Sequence, residues 1–449
     1  MTTTTDSLTQ TTPVLDGWLA KAAEQAVKSG EPEWALARRR QAVAHVSALP
    51  FPSRTDELWR RTDLGGLSLE ALDPFRSGAR ARNVDDLPAT VLARLAGEAG
   101  NLGLLVQRDA TMTLEQTHPA LEKQGVIVCS LDRALKEHAD KVKPLLGSML
   151  APDTDKYVAI GEAVRQGGAF VWVPDGVEAA LPIRLVQWLD GAGRAVFPRT
   201  VVALGKGARA TVIEEQLSDE AEGASFYGGG IEAFVGEDAR LVFATLQEWG
   251  RNVYHYSNAR ARIGRAGELQ WIQTTIGGRT VKSNAYFDLD GPGAQAFVHG
   301  FMFGDGRQHF HLHTLQRHLK DHTTSDLLIK SCLKDRARSV YQGLIQVSEG
   351  AQRTDAYQAN RNLLLSDTAR ADSIPGLEIL ANDVRCTHGA TIGQVDEEQL
   401  YYLMARGLPE REAKRLIVEA FFEPVLARIP LEPVRDQLRA EIERKIGTV

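Results

Sequence analysis

Beyond about residue 170 the chain changes character: apolar residues come in short runs separated by small and polar corners, and for roughly 200 residues hardly any stretch has helical spacing. Such runs read as strands with covered faces. A small residue in a Gly/Asp/Arg-rich corner precedes a run at Ala208, Ala239, Gly267, Ala294, Ala337 and Ala369, at steps of 31, 28, 27, 43 and 32 residues. That is the size of one stacked supersecondary unit, and it predicts a solenoid of strands whose turns cover one another. The same periodicity allows a β-sandwich with irregular loops, and spacing alone does not choose between them.

Helical spacing belongs to the two ends. Residues 15–48 repeat around Trp18, Leu19, Trp34, Leu36, Val43 and Val46, with a break at Gly30-Glu31-Pro32. From about 90 to 155, strand-like Leu102–Val106 and Val126–Cys129 alternate with helix-like Leu131–Lys141, as in a small mixed α/β unit. Near the other end Asp396 and Gln399 have the spacing of an N-cap and its reciprocal partner, and Leu400, Leu403 and Met404 follow at helical intervals. Gly407 stops that helix, Pro409 suits the first turn of the next, and Ala413, Leu416, Ile417, Ala420 and Phe421 form its apolar stripe. Val434, Leu438, Ile442 and Ile446 mark a last short helix. The chain thus divides into an amino-terminal helical and mixed α/β domain (1–165), a strand-rich core (166–392) and a carboxy-terminal helical domain (393–449).

At 449 residues, 43% of them hydrophobic, the chain has ample material for a core and for more than one domain. Its net charge of −6 and pI near 6.0 argue against nucleic acid as the main partner, because phosphate binding wants a basic surface. The run Arg38-Arg39-Arg40 reads as a solvated helix face. The opening MTTTTDSLTQTTPV has no apolar run, so neither a signal peptide nor an anchor is expected, and no later segment approaches the eighteen or so apolar residues of a membrane helix. Three widely spaced cysteines, Cys129, Cys332 and Cys386, suit a reducing cytoplasm and not a disulfide framework.

Two clusters carry candidate chemistry. In Val384–His388 the side chains of Cys386 and His388, two apart on a strand, share a face and make a soft two-point ligand set beside the small residues Gly389 and Ala390. A buried structural cysteine and a carbonyl-bonded histidine are the plain alternative. Six of the eleven histidines lie between His299 and His322, and His309, His311 and His313 alternate as a comb on one strand face. A His-x-His metal site of the cupin kind wants a carboxylate three or four residues on, where this chain has Gln316 and Arg317, so a structural or hydrogen-bonding role is expected for the comb. There is no GxxxxGK[ST] loop, no GxSxG elbow and no CxxC pair, so nucleotide hydrolysis, serine-hydrolase and dithiol chemistry have no visible basis. Asp288, Asp290 and Asp305 supply a nominal carboxylate cluster for a stand-alone β-helical enzyme, carbohydrate-active or histidine–metal dependent.

The string Cys386-Thr387-His388-Gly389-Ala390-Thr391, the amino-terminal LPFPSRTDELWRRTDL (49–64) and the core TDAYQANRNLLLS (354–366) closely resemble the SufB/SufD family, the scaffold subunits of the SUF iron–sulfur cluster assembly machine, with the first string matching its SufD branch. The resemblance runs from about residue 49 to about 423. It implies a mainly β protein with a right-handed parallel β-helix core between an amino-terminal helical and mixed α/β region and carboxy-terminal helices. It further implies a non-catalytic, cytoplasmic scaffold that pairs with a SufB-like subunit and docks a SufC-like ATPase, with self-association into a homodimer as the option for the isolated chain. Cys386 and His388 would be metal ligands for a transient iron–sulfur cluster at the subunit interface, His388 facing a partner cysteine. Tyr402, Arg406, Gly407, Pro409 and Arg415 would form the ATPase contact, so ATP is used only through the partner. Flavin, proposed for such scaffolds, has no signature in this chain.

Overall fold

The computed structural model describes residues 13–95, 100, 102–429 and 431–447. Its centre is a parallel β-solenoid of about eight turns. Successive strands alternate between two ten-stranded sheets that face each other. The first sheet begins at Thr111–Gln116 and Gly103–Arg108 and ends at Asp355–Leu364 and Arg385–Gln394. The second begins at Ile127–Ser130 and Gly168–Val173 and ends at Arg338–Val347 and Arg370–Ile379. Among the named strands of the described residues, pairing is antiparallel only where Gly103–Arg108 meets Thr111–Gln116 and where Ile127–Ser130 meets Gly168–Val173; the other strand pairs are parallel, as solenoid winding requires. Strands of the amino-terminal region therefore continue both sheets, and the change near residue 165 is one of composition rather than a break in hydrogen bonding.

The corners explain the repeat. Left-handed backbone occurs at Gly207, Asp238, Ala266, Gly293, His322 and Arg353, every 27 to 31 residues, always at the same corner. Ala337 and Ala369 lie at the opposite corner, which includes Asp335, so the 43-residue step was a jump between corners. The series continues instead through Thr323 and Thr354, whose hydroxyls lie 3.1 Å apart and are buried. Small side chains are needed at these corners because each turn sits within about 4.8 Å of the next.

Parallel registers stack like on like inside the solenoid. Phe243 and Trp271 stack with centroids 4.8 Å apart, Phe287 meets Trp271 edge-on, and Leu269, Val298, Leu327 and Ile329 extend the column. The outer face of each sheet is covered by helices from one end of the chain. Glu410–Leu426 and Glu432–Gly447 pack on the first sheet, where Phe422 lies 4.6 Å from Phe301 and 5.9 Å from Phe303, and Val434, Leu438, Ile442 and Ile446 complete the cluster. The last helix is sixteen residues long rather than short. Lys445 threads from it into the sheet, donating to the carbonyls of Ile276 and Phe303 and pairing with Asp305. Against the second sheet lie Pro13–Lys28, Glu33–Ala48 and Lys156–Val164, tied by Arg39 and Arg165 to the buried Glu31. Arg39 is thus an interior ion-pair residue and not part of a solvated face.

The carboxy-terminal end of the solenoid is open. The lumen side of the final turn shows Leu377, Ile379 and Ile392 to solvent, with Leu380 61% exposed beside them, because no further turn covers them. Replacing Phe422 by Ala removes a fully buried ring from the seam between helix and sheet. The expected loss is about 3–5 kcal/mol in denaturant unfolding; an unchanged midpoint would show that the carboxy-terminal helices do not unfold with the solenoid.

Candidate functional site

Cys386 and His388 lie on Arg385–Gln394, the edge strand of the first sheet, opposite Ala356 and Gln358 of the preceding turn. Ala356 and Gln358 are buried in the lumen, so both candidate ligands point to the lumen side of the open end. Cys386 is half-buried and packs against the cluster of Ile345, Val347, Ala351, Ala356 and Ala381; His388 is exposed and its side chain makes no hydrogen bond among the described residues. Beneath it Gln358 is held by Tyr341 and by the carbonyls of Gly343 and Gly376, which gives His388 a rigid floor. Burial, and next the Asp355 carboxylate, push the Cys386 thiol above its ordinary range, so the isolated chain keeps it protonated. Next to this pair run the unpaired edges of two strands and the exposed Leu377, Ile379 and Ile392, a surface built to be covered.

The helical hairpin follows directly. Asp396 accepts from the backbone N–H groups of Glu398 and Gln399 and caps Glu397–Ala405; Gly407 takes φ +93°, and Pro409 precedes Glu410–Leu426. No residue of Glu397–Ala405 is buried. Tyr401 is 74% and Tyr402 57% exposed, Met404 joins them, and the Arg406 guanidinium lies 4.8 Å over the Tyr402 ring. Arg415 differs from the others: it is paired with Glu412 and Glu419 on its own helix and lies 3.7 Å from Glu443 of the next. It braces two helices where the hairpin residues Tyr402 and Arg406 face outward.

The histidine comb occupies the outer face of the second sheet, beneath the segment 49–64. The single Thr62 hydroxyl lies 2.9 Å from His309 Nε2 and 2.6 Å from His311 Nδ1, so it donates to one ring and accepts from the other. His313 Nδ1 meets Tyr286 at 2.7 Å, and Lys282 lies within 3.5 Å of His311 and 5.1 Å over Trp59. Among the described residues no group of three or more His, Cys, Asp or Glu is arranged to hold a metal ion. Burial lowers His309 to about 4 and His313 to about 3, puts His311 well below its usual value, and lowers Lys282 to about 7. Thr62, Lys282 and Tyr286 were not singled out in the sequence; the one available signal was the distinctive 49–64 string.

The open end of the solenoid, the Cys386–His388 pair on its edge strand and the exposed helical hairpin thus lie together at one end of the molecule. Residues 187–421 match the family described as SUF system FeS cluster assembly, SufBD core domain, and residues 103–185 match the SufBD protein N-terminal region. The iron–sulfur cluster assembly protein SufD of Bacillus subtilis is 30% identical over 93% of this chain and 95% of its own length. SufB of the same organism is 26% identical over 93% and 91%, and a SufBD family protein of Staphylococcus saprophyticus is 25% identical over the same shares. The chain belongs to the SufBD family of the SUF iron–sulfur cluster assembly system. No helix among the described residues is long and apolar enough to cross a membrane.

The buried imidazoles set an acid limit. His255, His299 and His318 are also lowered by burial, to about 3, 4 and 4. The folded state disfavours the protonated ring while the unfolded chain takes up its proton near 6.5, so this stability is complete above about pH 6.5 and is lost as pH falls toward 4. Each imidazole contributes a slope of up to about 1.4 kcal/mol per pH unit in that window. Urea midpoints measured from pH 7.5 to 4.5 should fall steeply, and a flat profile would show that the rings titrate as if exposed.

Proposed function

We propose that this chain is a SufD-type, non-catalytic scaffold subunit that pairs with a SufB-type chain through the open end of its solenoid and receives a SufC-type ATPase on its hairpin. The observation that carries this reading is the shared location of Cys386, His388 and the uncovered apolar lumen of the last turn. A second solenoid placed end-on covers Leu377, Ile379 and Ile392 and brings its own ligands to the same spot. Self-association into a homodimer would use the same surface when the SufB-type chain is absent.

The nascent cluster is cargo in this scheme. Thiolate and imidazole are suitable soft ligands, and few, mixed ligands hold a cluster that must later leave. The protonated Cys386 disfavours loading on the lone subunit, because binding must release that proton. Completion of the ligand set by the partner across the interface supplies the missing driving force. The hairpin joins the final strand through only two residues, Val395 and Asp396, so movement of a docked ATPase is delivered to the open end. ATP chemistry stays with that partner.

In the co-expressed complex, His388→Ala should leave assembly intact and sharply lower iron and acid-labile sulfide per complex. Cys386→Ser should fall between wild type and His388→Ala, and His311→Ala with His313→Ala should cost less cluster than His388→Ala. Wild-type cluster content in His388→Ala would overturn the ligand assignment. Tyr402→Ala combined with Arg406→Glu should abolish recovery of the ATPase in a pull-down while the melting curve stays unchanged. Full recovery would reduce the hairpin to a cap.

A further inference from the structure

The lumen of the solenoid changes character along its strands. Inward positions of the first sheet run from the stacked Phe243 and Trp271 to Thr245 and Gln273 two residues further on, and the second sheet sets Gly229, Ser257 and Ser283 opposite them in one register row. These short side chains leave a chamber of about 20 Å³, lined also by Tyr227 and His255. Gln273 and Ser257 are only partly buried although each lies on a strand paired on both sides, so the surface that their inward side chains keep faces the chamber.

The hydrogen bonds around the chamber have a fixed direction. The Trp249 indole N–H can only donate, and it meets His255 Nδ1 at 2.9 Å. Burial lowers His255 to about 3, so its ring is neutral and its one proton sits on Nε2. That N–H lies 2.7 Å from Ser257 Oγ, and Ser257 in turn donates to Ser283 Oγ at 3.1 Å. The Ser283 hydroxyl proton is then left over, because its other neighbour, His255 Nε2 at 3.5 Å, already carries a hydrogen. Gln273 repeats the arrangement: its Oε1 accepts from Trp271 Nε1 at 3.5 Å, and its amide N–H groups have no acceptor among the described residues. Thr245 Oγ1 has no partner among them either.

We propose that this chamber holds one ordered water, which accepts from Ser283 Oγ and Gln273 Nε2 and donates to Thr245 Oγ1, joining the two sheets through the lumen. Size and charge select it. A water needs roughly 10–15 Å³, so the chamber has room for one, and three bonds are the usual number for a buried water. No charged side chain lines the chamber, so an ion there would give up its hydration without a counter-charge. The water gives the donor chain that starts at Trp249 its last acceptor, and it satisfies an amide and a hydroxyl that the lumen otherwise withholds from solvent.

The test is a high-resolution crystal structure of the full chain together with nitrogen NMR of its histidines at neutral pH. The wild-type map should show a peak within about 3.2 Å of Ser283 Oγ, Gln273 Nε2 and Thr245 Oγ1, and His255 should give the signature of a ring protonated on Nε2 alone. In the double variant Thr245→Val with Ser283→Ala, which removes two hydroxyls and adds no bulk beyond a methyl group, the peak should be lost, and oxygen relaxation dispersion of the solvent should count one long-lived water fewer. Thermal melts verify that the variant folds; if it does not, the wild-type map and spectrum decide alone. A wild-type map without the peak overturns the proposal, as does a peak that survives in the folded double variant or a His255 ring protonated on Nδ1. An anomalous signal at the peak, as chloride or sulfide would give, overturns the assignment to water.

Discussion

A solenoid turn buries its lumen only against the next turn, and this constraint organises the molecule. Along the interior it produces the stacked aromatic and aliphatic columns from Phe243 through Trp271 and Phe287. At the amino-terminal end two antiparallel pairings close the sheets and helices pack over them. At the carboxy-terminal end nothing equivalent exists among the described residues. Leu377, Ile379 and Ile392 are core residues of a turn whose neighbour is missing, and Cys386 and His388 stand among them. The candidate chemistry therefore sits where the fold itself requires another surface.

Local signals were legible where local physics decides. Asp396, Gly407 and Pro409 mark the hairpin because capping, left-handed backbone and first-turn proline each act within a few residues. The shared face of Cys386 and His388 followed from strand alternation and is found in the structure. The corner repeat is legible until the small residue changes from Ala to Thr at Thr323 and Thr354, beyond which the small residues Ala337 and Ala369 mark the opposite corner.

Long-range closure was not legible. Thr62 meets His309 across 247 positions and Lys282 reaches the comb from a neighbouring turn, and no periodicity encodes such meetings. Arg39 and Arg415 show the same limit for charge: a helix-face pattern cannot tell a solvated arginine from one that ties Glu31 to Arg165 or braces two helices through Glu412 and Glu419.

The seam between the Glu410–Leu426 helix and the first sheet has a mechanical side. Phe422 rests on Phe301 and Phe303, and Lys330 donates to the carbonyl of Phe421, so the helix is anchored on the third and fourth strands counted from the open end. At the spacing of parallel strands that anchor lies roughly 10–15 Å from the edge carrying Cys386. The hairpin thus has the geometry of a short lever with its fulcrum close to the edge: any rotation imposed on it would displace the edge little and load it strongly.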